Sequence, residues 1–150
     1  MPEDREALLQ HYRDMRADLL AAIEGLTDEQ LSAATLDGWS VKDHLAHLAA
    51  WDDIRASEVE RISAGHDSAW RLEPGRDEDQ SALFHDARLG LSVTQAKWEL
   101  ETSRQRLLDA IASASARALE SDRYGEAALR SEHEAQHTGW IRRWRTEQAL

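Results

Sequence analysis

The chain contains no cysteine. Disulfides, thiolate metal ligands and a cysteine nucleophile are therefore excluded, and any metal must be held by His, Asp or Glu. Two prolines and seven glycines punctuate 150 residues, while Ala, Leu, Glu and Arg are abundant, which is a helical composition. No run of eighteen apolar residues occurs, so no membrane-spanning helix is expected. The opening Met1-Pro2-Glu3-Asp4-Arg5-Glu6 lacks the apolar region of a signal peptide. Together with the missing cysteines, that predicts a cytoplasmic protein. Cations are in short supply: 18 Lys and Arg face 29 Asp and Glu, for a formal net charge of −11. Such a surface repels phosphate backbones and anionic lipids, which argues against nucleic-acid and membrane partners. The one basic cluster, Arg142, Arg143 and Arg145, lies near a helix C-terminus, where it complements the macrodipole. No Ser-His-Asp arrangement, phosphate loop or glycine-rich nucleotide motif is present.

What is present is four long amphipathic segments in one domain, residues 1–150. The first covers residues 3 to 24, with Leu8, Tyr12, Met15, Leu19 and Ile23 at three- and four-residue steps. Gly25 ends it. Thr27 and Gln30 start a short helical turn with a capping box, and Asp37-Gly38 signals a turn. Ser40 and Asp43 have capping-box spacing at the head of a second long helix, Val41 to about Ala64. The stretch from Gly65 to Asp79 is not periodic and reads as a long loop. Such a loop is often functional; here it is expected to form a lid with Trp70 beneath it. A half-length helix is predicted over Gln80 to Leu89. Ser92 and Gln95 form another capping box, before a third long helix from Val93 to about Ala116. The last helix is predicted from about Glu126 to Glu147. Four such segments of about 20 to 25 residues predict an all-α four-helix bundle.

The histidines carry the chemistry. His133 and His137 are four residues apart, so both imidazoles stack on one helix face. Trp140, Ile141 and Trp144 continue that face, which places the pair on the inward side. On the second long helix His47 lies central to the packed side, whereas His44 is one turn nearer the helix start. His47 is accordingly the preferred third ligand, and His44 is read as a residue near solvent or an outer group behind a ligand. His66 is an additional loop candidate, and His11 is expected to be solvated. Asp52, Asp53 and Arg55 read as a solvated face. Glu101 is a candidate buried acid near a metal or, alternatively, a partner of Arg104. Three neutral imidazoles suit zinc, nickel, iron or manganese and leave a coordination place open for water or substrate. A water or thiol bound there would ionise near neutral pH. The plainer reading of the pair is two solvated or mutually hydrogen-bonded core histidines.

The stretch Gly38-Trp39-Ser40-Val41-Lys42-Asp43-His44-Leu45-Ala46-His47-Leu48-Ala49-Ala50-Trp51 resembles the second-helix signature of the DinB-like superfamily, a Trp-Ser-x-x-(Asp/Glu) start followed by Ala-His-Leu and a Trp. His133-x-x-x-His137-x-x-x-Ile141-x-x-Trp144 resembles its closing motif, and Ser103-Arg104 with Leu107-Leu108 fits the third helix. The resemblance spans residues 3 to 147 and implies an up-down-down-up four-helix bundle, often a homodimer. It implies a three-histidine metal site, carried by motif onto His47, His133 and His137. His44 does not match the motif. The superfamily includes DinB/YfiT-like metal-dependent hydrolases, thiol transferases that use bacillithiol or mycothiol, and a mycothiol-dependent isomerase. The expectation is a metal-dependent hydrolase or thiol S-transferase acting on a small-molecule electrophile. The alternative is the ClbS/DfsB branch, whose members protect against reactive natural products by binding or hydrolysing them without a metal. Members of that branch can lack the triad, which this chain has. Residues 66 to 80 also lack the Trp-Asn element expected of that branch, so the metal-containing side is favoured.

Overall fold

Capping residues decide where the helices of this protein begin. In the computed structural model, which describes residues 2–35, 37–72 and 90–150, Asp4 accepts from the Ala7 amide at the head of α1, Arg5–Ile23. Thr27 and Gln30 close a capping box on the short α2, Asp28–Ser32. Ser40 and Asp43 do the same for α3, Val41–Ser63. Ser92 and Gln95 do so for α5, Val93–Ala112. Each box satisfies backbone donors that the first helical turn leaves open, worth typically about 1 kcal/mol. Between α3 and α5 lies α4, Ala69–Leu72; α6 is His133–Glu147. Two short 3-10 turns, Arg117–Leu119 and Ser121–Arg123, occupy the connection into α6. The described residues contain no strand, only the isolated bridges Pro2 with Glu120 and Ala34 with Ser40.

Cross-helix bonds give the direction of each long helix. Asp53 meets Ser103, Arg106 meets Ser57 and Glu60, and Ser63 meets Ser115, so α3 and the α5 segment run parallel. His11 meets Ser131, Arg16 meets Glu134 and Arg145 meets Ala22, so α1 and α6 are parallel too. Arg5 reaches Ile111 whereas Arg16 reaches Leu100, which sets α1 against α5. The order is therefore up-down-down-up, as the resemblance implies. The long connection from α3 to α5 is what permits two consecutive helices to run the same way.

Two apolar clusters fill the bundle. One gathers Leu8, Tyr12, Val59, Ile62, Leu107 and Ile111; the other gathers Leu19, Leu31, Leu45, Leu48, Leu100 and Ile141. A belt of charge separates them, to which each long helix gives one residue. Arg104 donates through Nε and Nη2 to both Asp52 oxygens at 2.9 and 3.2 Å, through Nη2 to Glu134 at 2.8 Å, and through Nη1 to the Tyr12 carbonyl. Arg16 adds bonds to Asp52 and Glu134 at 3.2 and 3.0 Å. Burial alone would push the Arg104 guanidinium down, but Asp52 and Glu134 raise it above its ordinary value. The cations and carboxylates balance, which is what makes a buried charge layer tolerable.

Several sequence expectations change here. Asp52 and Arg55 are buried rather than solvated, because α3 is covered on that side by α1, α5 and the segment before α6. Glu101 is exposed, and Arg104 pairs instead with Asp52 and Glu134. The last helix starts at His133, not near Glu126, and the third long helix ends at Ala112 rather than Ala116. Residues before His133 form turns and bends held by side chains from elsewhere: Arg55 donates to the Ala127 and Ala128 carbonyls, and Tyr12 to the Leu129 carbonyl. Ala128 sits at φ 25°, unusual for a residue with a side chain. Trp70 is buried against Trp51, ring centroids 5.2 Å apart. The expected helix over 80–89 and the rest of the expected lid lie outside the described residues.

Candidate metal centre

Ser40 fixes the start of α3, and His44 and His47 follow within its first two turns. Both are buried. The turn that delivers them is tight: Thr35 and Trp39 bond across it, and Gly38 stands at φ +87°, where a side chain would be strained. His133 opens α6, and its amide bonds to the Ser131 hydroxyl. His137 follows one turn later. Because α3 and α6 are antiparallel, the descending pair on one meets the ascending pair on the other. His47, His133 and His137 each bring a ligand nitrogen within 4.8 Å of the others. His133 and His137 Nε2 atoms are 3.0 Å apart. His47 ring centroids lie 5.0 Å from both.

Among the described residues, His47, His133 and His137 are the group of His, Cys, Asp or Glu close enough to share a metal. They are the three residues that the sequence expectation named. His44 is buried rather than near solvent, and its Nδ1 lies 2.7 Å from Nδ1 of His137. It therefore stands behind a ligand position. His66 is exposed and apart from the group. His11 is half-buried and bonds to the Ser131 carbonyl, so it supports the loop rather than being solvated. Glu134, next to His133, belongs to the charge belt. Trp140 is 48% exposed, so the apolar stripe of α6 passes through Ile141 and Trp144 instead. Its ring still stands edge-on to His137 at 4.8 Å.

The donor set fits a divalent ion. Tetrahedral zinc with nitrogens at about 2.0–2.1 Å needs those nitrogens about 3.3 Å apart, and the His133–His137 pair is already near that spacing. Two of the imidazoles are also held towards the neutral form that ligands need. Burial, then the neighbouring His133, His44 and His47, hold His137 down to about 2. Burial, then the Arg55 charge, lower His133 as well.

These depressed values predict a pH dependence for the metal-free protein. The unfolded histidines titrate near 6.5. Below that pH the unfolded chain takes up protons that the folded chain refuses, so stability is full above 6.5 and falls as pH drops. For His137 alone the expected loss from pH 6.5 to 5 is about 2 kcal/mol. Urea unfolding of chelator-treated protein at both pH values checks it. His137→Ala should flatten the difference by a similar amount.

Sequence reasoning missed three contributors. Trp39 packs T-shaped on His47 at 5.2 Å, although it reads only as a motif residue. Arg55 fixes the carbonyls leading into α6, which no local pattern signals. Asp37, read as a turn former, reaches His44 at 3.4 Å. A cavity of about 360 Å³ opens beside His133, lined by Trp51, Arg55, Arg130, Ser131 and Gln136 among others. A small molecule can therefore approach His133.

The DinB superfamily model matches residues 11–141, a span that includes all three clustered histidines. The chain belongs to the DinB superfamily. No curated protein matches this DinB protein in sequence. Among solved structures it is similar to an uncharacterised protein from Escherichia coli UTI89. The TM-score is 0.78 at 15% identity, over 100% of this chain and 97% of that one. It is also similar to a mycothiol-dependent maleylpyruvate isomerase, with a TM-score of 0.62 at 16% identity. That likeness covers 93% of the DinB protein but only 58% of the isomerase. At such identities both likenesses establish the fold. Among the described residues of the DinB protein no helix is long and apolar enough to cross a membrane.

Proposed function

We propose that this DinB protein is an enzyme whose His47, His133 and His137 hold one divalent transition metal: zinc, nickel, iron or manganese. The observation that carries the reading is the convergence of three imidazoles from two helices beside an open cavity. When bound, the metal would supply the Lewis acidity that ionises a water or a small thiol near neutral pH. The protein's own residues do the rest. Three ligands leave room for that nucleophile. The wall of Trp51, Arg55 and Gln136 positions a small electrophile next to His133. Trp39 and Trp140 pack against the imidazoles, limiting the water around them.

The reaction class is metal-assisted hydrolysis or transfer of a small thiol to an electrophile. The likeness to a mycothiol-dependent isomerase supports including the thiol branch. Metal-loaded and chelated protein should be compared on two substrate sets: a small thiol with an aromatic chloride, and activated esters in water. Turnover above background only in the loaded protein, lost in His47→Ala, is the expected result. Equal turnover with and without metal would overturn the metal-dependent reading. It would favour a metal-free protein acting on reactive small molecules in the same cavity.

A further inference from the structure

The chain of contacts behind His137 fixes more than its position. Asp37 has two carboxylate oxygens with different tasks. Oδ1 accepts from the Thr35 hydroxyl at 2.9 Å and from the Trp39 amide at 3.0 Å. Oδ2 faces His44 Nε2 at 3.4 Å. The other nitrogen of His44, Nδ1, lies 2.7 Å from Nδ1 of His137. His137 Nε2 in turn lies 3.0 Å from His133 Nε2, inside the three-histidine cluster.

The hydrogens along this chain follow from what each atom can do. An ionised carboxylate only accepts, so His44 Nε2 must carry the hydrogen that faces Asp37. A neutral His44 then presents a lone pair at Nδ1. Two imidazole nitrogens 2.7 Å apart need one hydrogen between them, and only His137 Nδ1 is left to supply it. His137 is thereby forced into the Nδ1–H form. Its lone pair is at Nε2, the nitrogen turned towards the cluster.

We propose that His44, held by Asp37, is a positioning residue that sets the tautomer and ring orientation of His137 so that Nε2 faces the metal. This rests on the three-histidine metal reading. A ligand histidine ordinarily donates its second N–H to a carboxylate or a carbonyl. Here a second histidine occupies that place and passes on the polarity of a carboxylate one residue further out. The capped start of α3 and the turn at Gly38 bring Asp37 and His44 into line.

Two variants and two readouts test this. Asp37→Asn leaves the core untouched, because Asp37 lies at the surface end of the chain. The Asn oxygen keeps the bonds to Thr35 and Trp39, and its NH₂ then faces His44 Nε2. Each hydrogen along the chain must reverse, which leaves His137 with its hydrogen on Nε2. His44→Asn is the rescue variant, since its side-chain oxygen can accept where Nδ1 did, whereas His44→Leu cannot.

Nitrogen-15 NMR of the chelated protein reads the His137 tautomer directly, and calorimetric titration with zinc reads affinity. The expected result is Nδ1–H in the wild type, Nε2–H in Asp37→Asn, and a mixture in His44→Leu. Zinc affinity should fall about 10–100-fold in Asp37→Asn and His44→Leu, the range for outer partners of metal ligands. His44→Asn should stay within a few-fold of wild type. Wild-type His137 in the Nε2–H form, or unchanged tautomer and affinity in both Asp37→Asn and His44→Leu, would overturn the proposal. A wild type that shows Nδ1–H but binds no zinc would overturn the metal reading, and with it the positioning role. The hydrogen-bond chain itself would then stand.

Discussion

His137→Ala is expected to bind no divalent metal under conditions where the wild type binds about one ion per chain. His137 is the centre of the cluster. Its Nε2 lies 3.0 Å from His133, its ring lies 5.0 Å from His47, and its Nδ1 is bonded to His44. Removing it takes away one of three ligands and the contact through which the outer residues act. The loss of affinity should exceed the 10–100-fold typical of an outer partner. Elemental analysis after dialysis, followed by zinc titration, measures it. The variant should still fold when metal-free, because His137 belongs to neither apolar cluster nor to the charge belt. A cooperative melt without metal, close to that of chelated wild type, distinguishes loss of a ligand from loss of the fold. Wild-type stoichiometry in the variant would remove His137 from the site.

Arg104→Met is expected to cost about 3–5 kcal/mol, the cost of breaking a buried ion network from one side. Arg104 is buried and makes four bonds to Asp52 and Glu134. Without it, two buried carboxylates are left with Arg16 and the more distant Arg55, 3.9 Å from Asp52. Urea unfolding at pH 7 measures the loss, provided that two probes give one transition. Arg104→Lys should recover part of it, as it restores charge without the planar fork. A loss below about 1 kcal/mol would mean that water reaches the belt and that the layer is not desolvated. The belt also matters to the site, because Glu134 adjoins His133. The variant should bind zinc more weakly even where it remains folded.

The elements of the fold were legible because their signals are local. Thr27 with Gln30, Ser40 with Asp43 and Ser92 with Gln95 each mark a helix start by two residues three positions apart, and all three boxes form. The start of α6 was not legible. Residues 126–132 contain nothing that forbids a helix. They are kept out of a helix by Arg55 and Tyr12, which are more than 70 residues away in sequence and take up their carbonyls. The charge belt is not visible in the sequence for a similar reason. Asp52 and Arg55 look like a solvated face until α1, α5 and the loop before α6 close over them. Periodicity shows which face of a helix is apolar; it does not show that a polar residue on another face meets an opposite charge.

The candidate ligands were legible from motif and spacing together. His133 and His137 share a helix face by spacing alone, and depth along α3 favoured His47 over His44. The support around them was not. Trp39, Asp37 and His44 act through a turn whose shape depends on Gly38, and a sequence pattern carries no direction for a hydrogen bond.

The three-histidine site is tested most directly by a crystal of the wild-type protein grown with zinc and measured on both sides of the zinc absorption edge. One strong anomalous peak is expected among His47, His133 and His137, with nitrogen distances of about 2.0–2.1 Å. A peak absent from the cluster at saturating zinc, with the three rings unmoved, would contradict it.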